Sequence, residues 1–390
     1  MLNDDAQSTR RLRSRRHLLD AIRRESGITR ADLSLVTGLS RSAIAEAVQD
    51  LLNDRLIAED VNEPGGRGAG RGRPSALLVP TAPAATVVGI DISHNHLAVA
   101  VATTEGEILA EQRSTLNVDT QARATMDVAA GMVSRLLAEV GLSMADVRCV
   151  GAGIPAPLDQ HTKEIRSTSI MSGWVELNPE AELSRLLGCR VVTANDADMG
   201  AYGELRFGAA RGLRDFLYVK VSEGVGASLH LNGTAYHGAL GLAGEVGHTQ
   251  LDEQGIWCRC GNRGCLETVI STDVIHQRRP YGAGGPPDQD FPLATVVHDP
   301  VVGRIAVEAG RTLGKVLANV CNWINPAGII IGGELGTAGQ PVIDGVRESI
   351  RRHAQPATAD SVTVAAAQLG LRSELLGAVA MASHEALYLV

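Results

Sequence analysis

The chain has 390 residues, 44% hydrophobic but only 3% aromatic, so cores for two or three domains must be built from Ala, Val, Leu and Ile. No run approaches the ~18 apolar residues that cross a bilayer, and the Arg-rich start lacks an apolar signal core, which predicts a cytoplasmic protein with no membrane partner. The net charge of -8 is uneven: residues 1–80 hold 13 Arg, no Lys and 11 acidic residues, a net of +2, while the rest hold 23 basic and 33 acidic residues, a net of -10, which directs any polyanion to the head.

In the head, residues 1–80, Leu12, Leu18, Leu19 and Ile22 fit one stripe of a helix from Arg11 to Arg24. Thr29 is placed to cap a second short helix carrying Leu33, Leu35 and Val36. Gly38 makes the turn, with Leu39 beneath it. Ser40 then caps a third helix, its hydroxyl available to an orphan backbone N–H. That helix puts Ile44, Val48, Leu51 and Leu52 on one face and Arg41, Ser42, Ala45 and Gln49 on another. A short helix, a Gly-centred turn and a helix with a small, polar and basic outer face is helix-turn-helix spacing, although three-helix units also serve as protein-binding modules.

Leu56–Glu59 and Ala76–Val79 pair as the strands of a wing. Between them, residues 63–75 are Gly-rich and carry Arg67, Arg71 and Arg73. Arg71-Gly72-Arg73-Pro74 resembles the segments that lay arginines into narrow A·T-rich minor grooves, where negative potential is concentrated; the plainer reading is a solvated loop. The predicted DNA contacts are Ser40, Arg41, Ser42, Gln49, Arg71 and Arg73, with Arg41 reading a base edge.

The body is expected over residues 84–390. It opens with a strand at 86–92, a second at 97–102 and a turn at Glu105–Gly106 leading into a third. Further on, residues 191–198 read as a buried strand running into Asn195-Asp196, a pair that also serves as a helix cap. Residues 244–267 hold three cysteines in eight residues, Cys258, Cys260 and Cys265, ten after His248. Three thiolates and one imidazole close a tetrahedral zinc shell; with no position left for water, the site is structural rather than catalytic. Gly261 and Gly264 allow the tight backbone this needs. The competing reading is a chance cluster of buried thiols. Cys149, Cys189 and Cys321 lie far apart in apolar surroundings and read as buried thiols.

Gly244, Glu245, Gly247 and His248, followed by Cys258, Cys260, Gly261, Gly264, Cys265 and Glu267, match in full a Gly-Glu-x-Gly-His, Cys-x-Cys-Gly-x2-Gly-Cys-x-Glu pattern. This resembles the signature of the ROK family (repressors, open reading frames and sugar kinases), and the likeness extends over nearly the whole body, through residues 151–157, 172–174 and 314–326. The resemblance implies an α/β protein: an N-terminal winged helix-turn-helix plus a two-lobed actin-like (ribonuclease H-like) ATPase/sugar-kinase fold with a zinc-binding loop. It implies zinc on His248, Cys258, Cys260 and Cys265, and a sugar site lined by Asn195, Asp196, Glu245, His248 and Glu267. Asp196 stands where family kinases keep the general base that takes the proton of the attacked hydroxyl.

Both phosphate loops depart from the family's kinases. Asp-x-Gly-Gly-Thr-Lys becomes Asp91-Ile92-Ser93-His94-Asn95-His96, losing the glycines, the hydroxyl and the Lys charge. Gly-Thr-Gly-x-Gly-x-Gly becomes Ser222-Glu223-Gly224-Val225-Gly226-Ala227-Ser228, with a carboxylate where polyphosphate would lie. The late segment 329–336 matches the adenosine-side turn and is expected to persist as a strand-to-helix turn. The resulting expectation is a sugar-responsive transcriptional regulator, a repressor by family habit and not an enzyme. Its partners are operator DNA and a sugar or sugar phosphate, and it acts as a homodimer or tetramer. The alternative is an ATP-dependent sugar kinase that also binds DNA.

Overall fold

The computed structural model describes residues 14, 15, 17–19, 21, 22, 28–53, 56–60, 76–80, 85–165, 171–278 and 292–386. They fall into two compact units, one up to Ala85 and one from Thr86 to Leu389.

In the first unit, residues 14, 15, 17–19, 21 and 22 are helical and bury Leu18, Leu19, Ala21 and Ile22; Leu12 lies outside the described residues. Helix α1 (Arg30–Thr37) starts at Thr29, whose hydroxyl accepts from the Asp32 N–H at 3.2 Å, and stops at Gly38, whose φ of 66° is left-handed. It buries only Leu33. Leu35 and Val36, expected to pack with it, are 83% and 52% exposed. At about 100° per residue Leu35 sits roughly 200° around from Leu33, on the far side, while Val36, about 60° from it, lies at the margin of the narrow stripe that so short a helix buries.

Helix α2 (Arg41–Asn53) is capped by Ser40, whose hydroxyl accepts from the Ala43 N–H at 3.3 Å. Ile44, Ala47, Val48 and Leu51 are buried, whereas Arg41, Ser42, Ala45 and Gln49 are exposed. Strands β1 (Ile57–Asp60) and β2 (Leu77–Pro80) pair antiparallel, each starting one residue later than the sequence suggests. Ile28 bridges to Leu78, tying the entry of α1 to the hairpin.

The second unit holds two five-stranded sheets. The first runs β5-β4-β3-β6-β7, made of β3 (Thr86–Ile92), β4 (His96–Thr103), β5 (Ile108–Thr115), β6 (Val147–Ile154) and β7 (Val191–Asn195). The second runs β10-β9-β8-β11-β12, made of β8 (Phe216–Val221), β9 (Val225–Leu231), β10 (Thr234–Tyr236), β11 (Gly328–Gly332) and β12 (Thr363–Ala366). Each sheet has an antiparallel meander on one side of its first strand and two parallel strands on the other. The halves are thus duplicated in architecture without a visible sequence repeat.

Parallel neighbours need crossover helices. These are α3 (Ala122–Glu139), α4 (Pro179–Leu187), α6 (Pro300–Ile324) and α7 (Gln340–His353), while α5 (Asp196–Phe207) links the sheets and α8 (Ser373–Ala386) ends the described chain. Helices α6 and α7 approach closely because a Cβ on Gly310 would lie 2.4 Å from the Val342 carbonyl, and one on Gly345 2.3 Å from that of Val307. One core gathers Ile90, Val99, Met126, Leu136 and Trp174 around the first sheet; another gathers Leu313, Leu317, Ile329, Val342 and Val346 around the second. Aliphatic residues dominate both, as the low aromatic content requires.

The carboxyl ends of β3, β7 and β8 feed one cleft, the place where open α/β sheets bind ligands. Residues 93–95 follow β3, Asp196 follows β7, and residues 222–224 follow β8. Among the described residues no helix is long and apolar enough to cross a membrane.

Candidate ligand and metal site

His248 lies on a short turn, Val246–His248, and the cysteines on the loop after it. The loop folds back on itself: the Leu266 N–H donates to the Thr249 carbonyl at 2.9 Å, and the Cys258 N–H to that of Asn262 at 2.8 Å. Gly264 has a φ of 59°, and a Cβ there would lie 1.9 Å from the Asp252 carbonyl, so only glycine fits. The result brings four ligand atoms, from His248, Cys258, Cys260 and Cys265, within 4.8 Å of one another. Cys258 Sγ is 3.6 Å from His248 Nδ1, and Cys260 Sγ is 3.7 Å from Cys265 Sγ. Bonds of ~2.3 Å at tetrahedral angles give sulfur–sulfur edges of about 3.8 Å, so this donor set fits a four-coordinate metal.

His248 uses Nδ1 toward the cysteines, and its Nε2 points the other way, 3.7 Å from Glu245 Oε2. Glu267, nearly buried, accepts from Arg259 Nε at 3.1 Å and from the Val225 N–H at 3.2 Å. Arg259 also donates to the Glu223 carbonyl at 3.2 Å, joining the cysteine loop to the turn after β8. Desolvation in the cleft, and then the charges of Asp196 and Glu267, push the Glu245 carboxyl up to about 7, although 40% of the side chain is still exposed.

Asn195 caps α5 by accepting from the Ala197 N–H at 2.9 Å, and it also donates to the Ala156 carbonyl at 3.2 Å. Asp196 Oδ2 lies 2.8 Å from Lys220 Nζ. Burial pushes the Lys220 ammonium down, but Asp196, Glu374 and Asp91 outweigh this and hold it above the ordinary lysine value. Asn195, Asp196, Glu245, His248 and Glu267 all line one cavity. The structure therefore brings together the five residues assigned to sugar from the sequence. His94 and Lys220 line the same cavity and were not anticipated. A lone lysine in the apolar strand F-L-Y-V-K-V was the available signal.

The two altered phosphate loops meet. Asn95 donates to Glu223 across the cleft, and Lys220 donates to Ser93 at 3.3 Å. His94 Nδ1 is 2.6 Å from Asp119 Oδ1, and His96 Nε2 is 3.1 Å from Asp91 Oδ2. Burial pushes Asp91 up, yet the hydrogen bond and charge of His96 prevail and leave it below the usual carboxylate value. The segment after β11 is a strand-to-helix turn, with the Glu334 N–H donating to Ser222 Oγ at 3.1 Å.

In the head, Ser40, Arg41, Ser42 and Gln49 share the exposed side of α2, with Ser40 and Ser42 hydroxyls 3.0 Å apart and Gln49 donating to Asn53 at 3.1 Å. Arg71 and Arg73, with Arg67 and the rest of residues 63–75, lie outside the described residues.

Residues 87–385 match the ROK family, most of the chain's length. The chain belongs to the ROK family. Residues 11–58 match a winged helix-turn-helix DNA-binding domain. The xylose repressor of Bacillus spizizenii is 27% identical over 360 residues, covering 92% of each chain. A glucokinase of Halalkalibacterium halodurans is 29% identical over 307 residues, covering 74% of this ROK protein and 92% of its own length. The crystal structure of a ROK family transcriptional regulator, a homologue of the E. coli MLC protein, superposes with a TM-score of 0.78 at 23% identity, covering 97% of this chain and 96% of that one; at that identity it speaks to the fold alone.

Proposed function

We propose that this ROK protein is a sugar-responsive transcriptional repressor. One observation carries the reading: a chain with a capped helix-turn-helix whose outer face exposes Arg41, Ser42 and Gln49 also has a body cleft that gathers Asn195, Asp196, Glu245, His248 and Glu267. The family and the xylose repressor relative support it. Operator DNA meets α2, with Arg41 on a base edge and Ser40 and Ser42 on phosphate or base. Arg71 and Arg73 are assigned to the minor groove. Paired half-sites roughly 34 Å apart call for a homodimer or a tetramer, and a DNA partner places the protein in the cytoplasm.

The metal is zinc, held by His248, Cys258, Cys260 and Cys265. Four protein ligands leave it no open position, so its contribution is to fix the loop that carries Cys258 and Arg259 against Glu267. Sugar hydroxyls are accepted by Asp196, Glu245 and Glu267, with His248 Nε2 facing the same space. Phosphoryl transfer is lost in this reading. Asp196, the general-base position, is bound to Lys220, and the phosphate loops bond each other.

The second reading, an ATP-dependent sugar kinase that also binds DNA, draws on Asp196 and on the glucokinase relative. Footprinting of upstream DNA with and without a sugar panel that includes xylose, alongside a coupled ATP-turnover assay, separates the two. Sugar-sensitive DNA protection without turnover supports the repressor; turnover with one sugar sinks the claim of lost activity. By linkage, a sugar that weakens DNA binding must itself bind the DNA complex less well.

A further inference from the structure

The loop after β3 departs from the phosphate-loop pattern by what it gains as well as by what it loses: position 94, a glycine in that pattern, is a histidine. The His94 side chain is only 14% exposed, and it lines the cleft that holds Asp196, Glu245, His248 and Glu267. Its backbone is fixed: the Val118 N–H donates to the His94 carbonyl at 3.1 Å, and the Leu116 N–H to that of Asn95 at 3.0 Å. Its ring is fixed by Asp119, whose Oδ1 lies 2.6 Å from Nδ1. Asp119 is held in turn. The Gly173 N–H donates to its carbonyl at 3.0 Å, and the buried Trp174 indole donates to the Val118 carbonyl at 2.8 Å. A carboxylate only accepts, so Nδ1 carries the hydrogen of the bond to Asp119, and the neutral ring keeps Nε2 as an acceptor. Nε2 pairs with no protein group among the described residues. A Cβ on Gly224 would lie 3.6 Å from His94 Nε2 and 3.3 Å from Glu267 Oε2, so both groups border the space that this glycine leaves open.

We propose that His94, oriented by Asp119, is a ligand-contacting residue of the cleft and takes one hydroxyl of the bound sugar on Nε2. This rests on the sugar-sensing reading and adds to it a contact from the loop after β3. Asn195 and Asp196 reach the cleft from the end of β7, and Glu245, His248 and Glu267 from the segment after β10. His94 enters from a third direction. Where the phosphate-loop pattern keeps a glycine to let backbone approach phosphate, the imidazole fills that space and offers a side-chain acceptor instead. Asp119 does not line the cavity. It is a positioning residue that acts through the tautomer and the angle of the His94 ring.

The test is isothermal titration of the full-length, zinc-loaded protein with glucose, xylose and N-acetylglucosamine, and then with the monodeoxy analogues of whichever sugar binds. His94→Ala should weaken that sugar about fivefold, the worth of one hydrogen bond between uncharged groups, and His94→Gln, which keeps an acceptor, should recover part of the loss. One monodeoxy analogue should bind the wild type about fivefold more weakly than its parent and lose nothing further in His94→Ala. Asp119→Asn should weaken the parent sugar in the wild type and have no effect in the His94→Ala background, a dependence that a merely structural role does not produce. Equal sugar affinity in the wild type and His94→Ala overturns the inference and leaves the sugar-sensing reading standing. So does a loss in His94→Ala that every deoxy analogue shares in full, since no hydroxyl then answers to the ring. If none of the sugars binds the wild type, the sugar-sensing reading falls and this inference with it.

Discussion

Lys220 Nζ and Asp196 Oδ2 lie 2.8 Å apart although one side chain rises from the second sheet and the other heads the helix that leaves the first. Both are nearly buried, and Asp91, Ser93 and Glu374 share the surroundings. Removing one partner of a buried ion pair leaves a naked charge, at a cost of about 3–5 kcal/mol, whereas removing both is far milder. Lys220→Met should therefore destabilise the body by that amount, and Lys220→Met with Asp196→Asn should recover most of it. Chemical denaturation of the four proteins in the cycle measures this; additive losses would show that the pair is not coupled.

Arg41 stands exposed at the first turn of α2, beside the Ser40 cap. On a guanine edge, Arg41→Ala should cost about 1–3 kcal/mol at a single base position and leave random DNA nearly unaffected. Binding to operator variants mutated one base at a time checks it. Uniform weakening on every sequence would reassign Arg41 to phosphate.

Much of the head and of the metal loop is legible in the amino-acid sequence alone. The caps at Thr29 and Ser40, the turn at Gly38 and the polar face of α2 follow from local chemistry, in which a hydroxyl satisfies an orphan N–H and glycine takes a left-handed φ. The Cys-x-Cys-x4-Cys loop with His248 is equally plain, because metal geometry demands few residue types at short spacing. What the sequence hides is long-range. Nothing local connects Asn95 with Glu223, 128 residues away, or Lys220 with Asp196 and Ser93. The departure of residues 91–96 and 222–228 from the family's phosphate-loop pattern is readable as missing glycines; that the two segments bond one another is not. Leu35 and Val36 mislead because hydrophobicity in a short helix does not say which side faces the core.

The cysteine loop gives a direct prediction. Purified protein should carry one zinc per chain, and Cys260→Ser should lose most of it, since three ligands in a partly exposed loop hold zinc far more weakly than four. Chelation should lower the melting temperature of the wild type and leave the Cys260→Ser protein where it is. Metal analysis together with melting curves decides it; equal zinc content in both proteins would remove Cys260 from the ligand set.

Glu204 is fully buried in α5, the helix that begins at Asp196. Its carboxylate accepts from the N–H groups of Ala209, Gln368 and Leu369 at 2.7, 3.0 and 2.9 Å, and from Ser373 Oγ at 2.8 Å. It thereby pins the end of α5 to the turn that leads into α8. Glu204→Ala would strand four donors, the Ser373 hydroxyl buried and the three N–H groups partly buried, at up to about 1–3 kcal/mol each. The loss should exceed about 3 kcal/mol and accelerate hydrogen exchange at residues 368–373. A change below about 1 kcal/mol would mean that water replaces the carboxylate there.

Glu374 supplies a pH dependence with a definite sign. It is buried beneath Lys220, accepts from the Tyr218 hydroxyl at 2.8 Å, and has Asp91 and Asp196 among its charged neighbours. Burial raises its carboxyl from 4.5 to about 7, against the opposing pull of Lys220 and the Tyr218 hydrogen bond. Between those values the unfolded chain gives up its proton while the folded protein keeps it, so stability falls as pH rises from 4.5 to 7 and changes no further above that. The whole effect is on the order of 3 kcal/mol. Glu374→Gln keeps an oxygen for Tyr218 and removes the titration. Urea unfolding at pH 5 and pH 8 should then show the variant gaining on the wild type by up to that amount at the higher pH. Parallel losses in the two proteins would mean that Glu374 is already ionised in the fold at pH 5, with Lys220 holding it there.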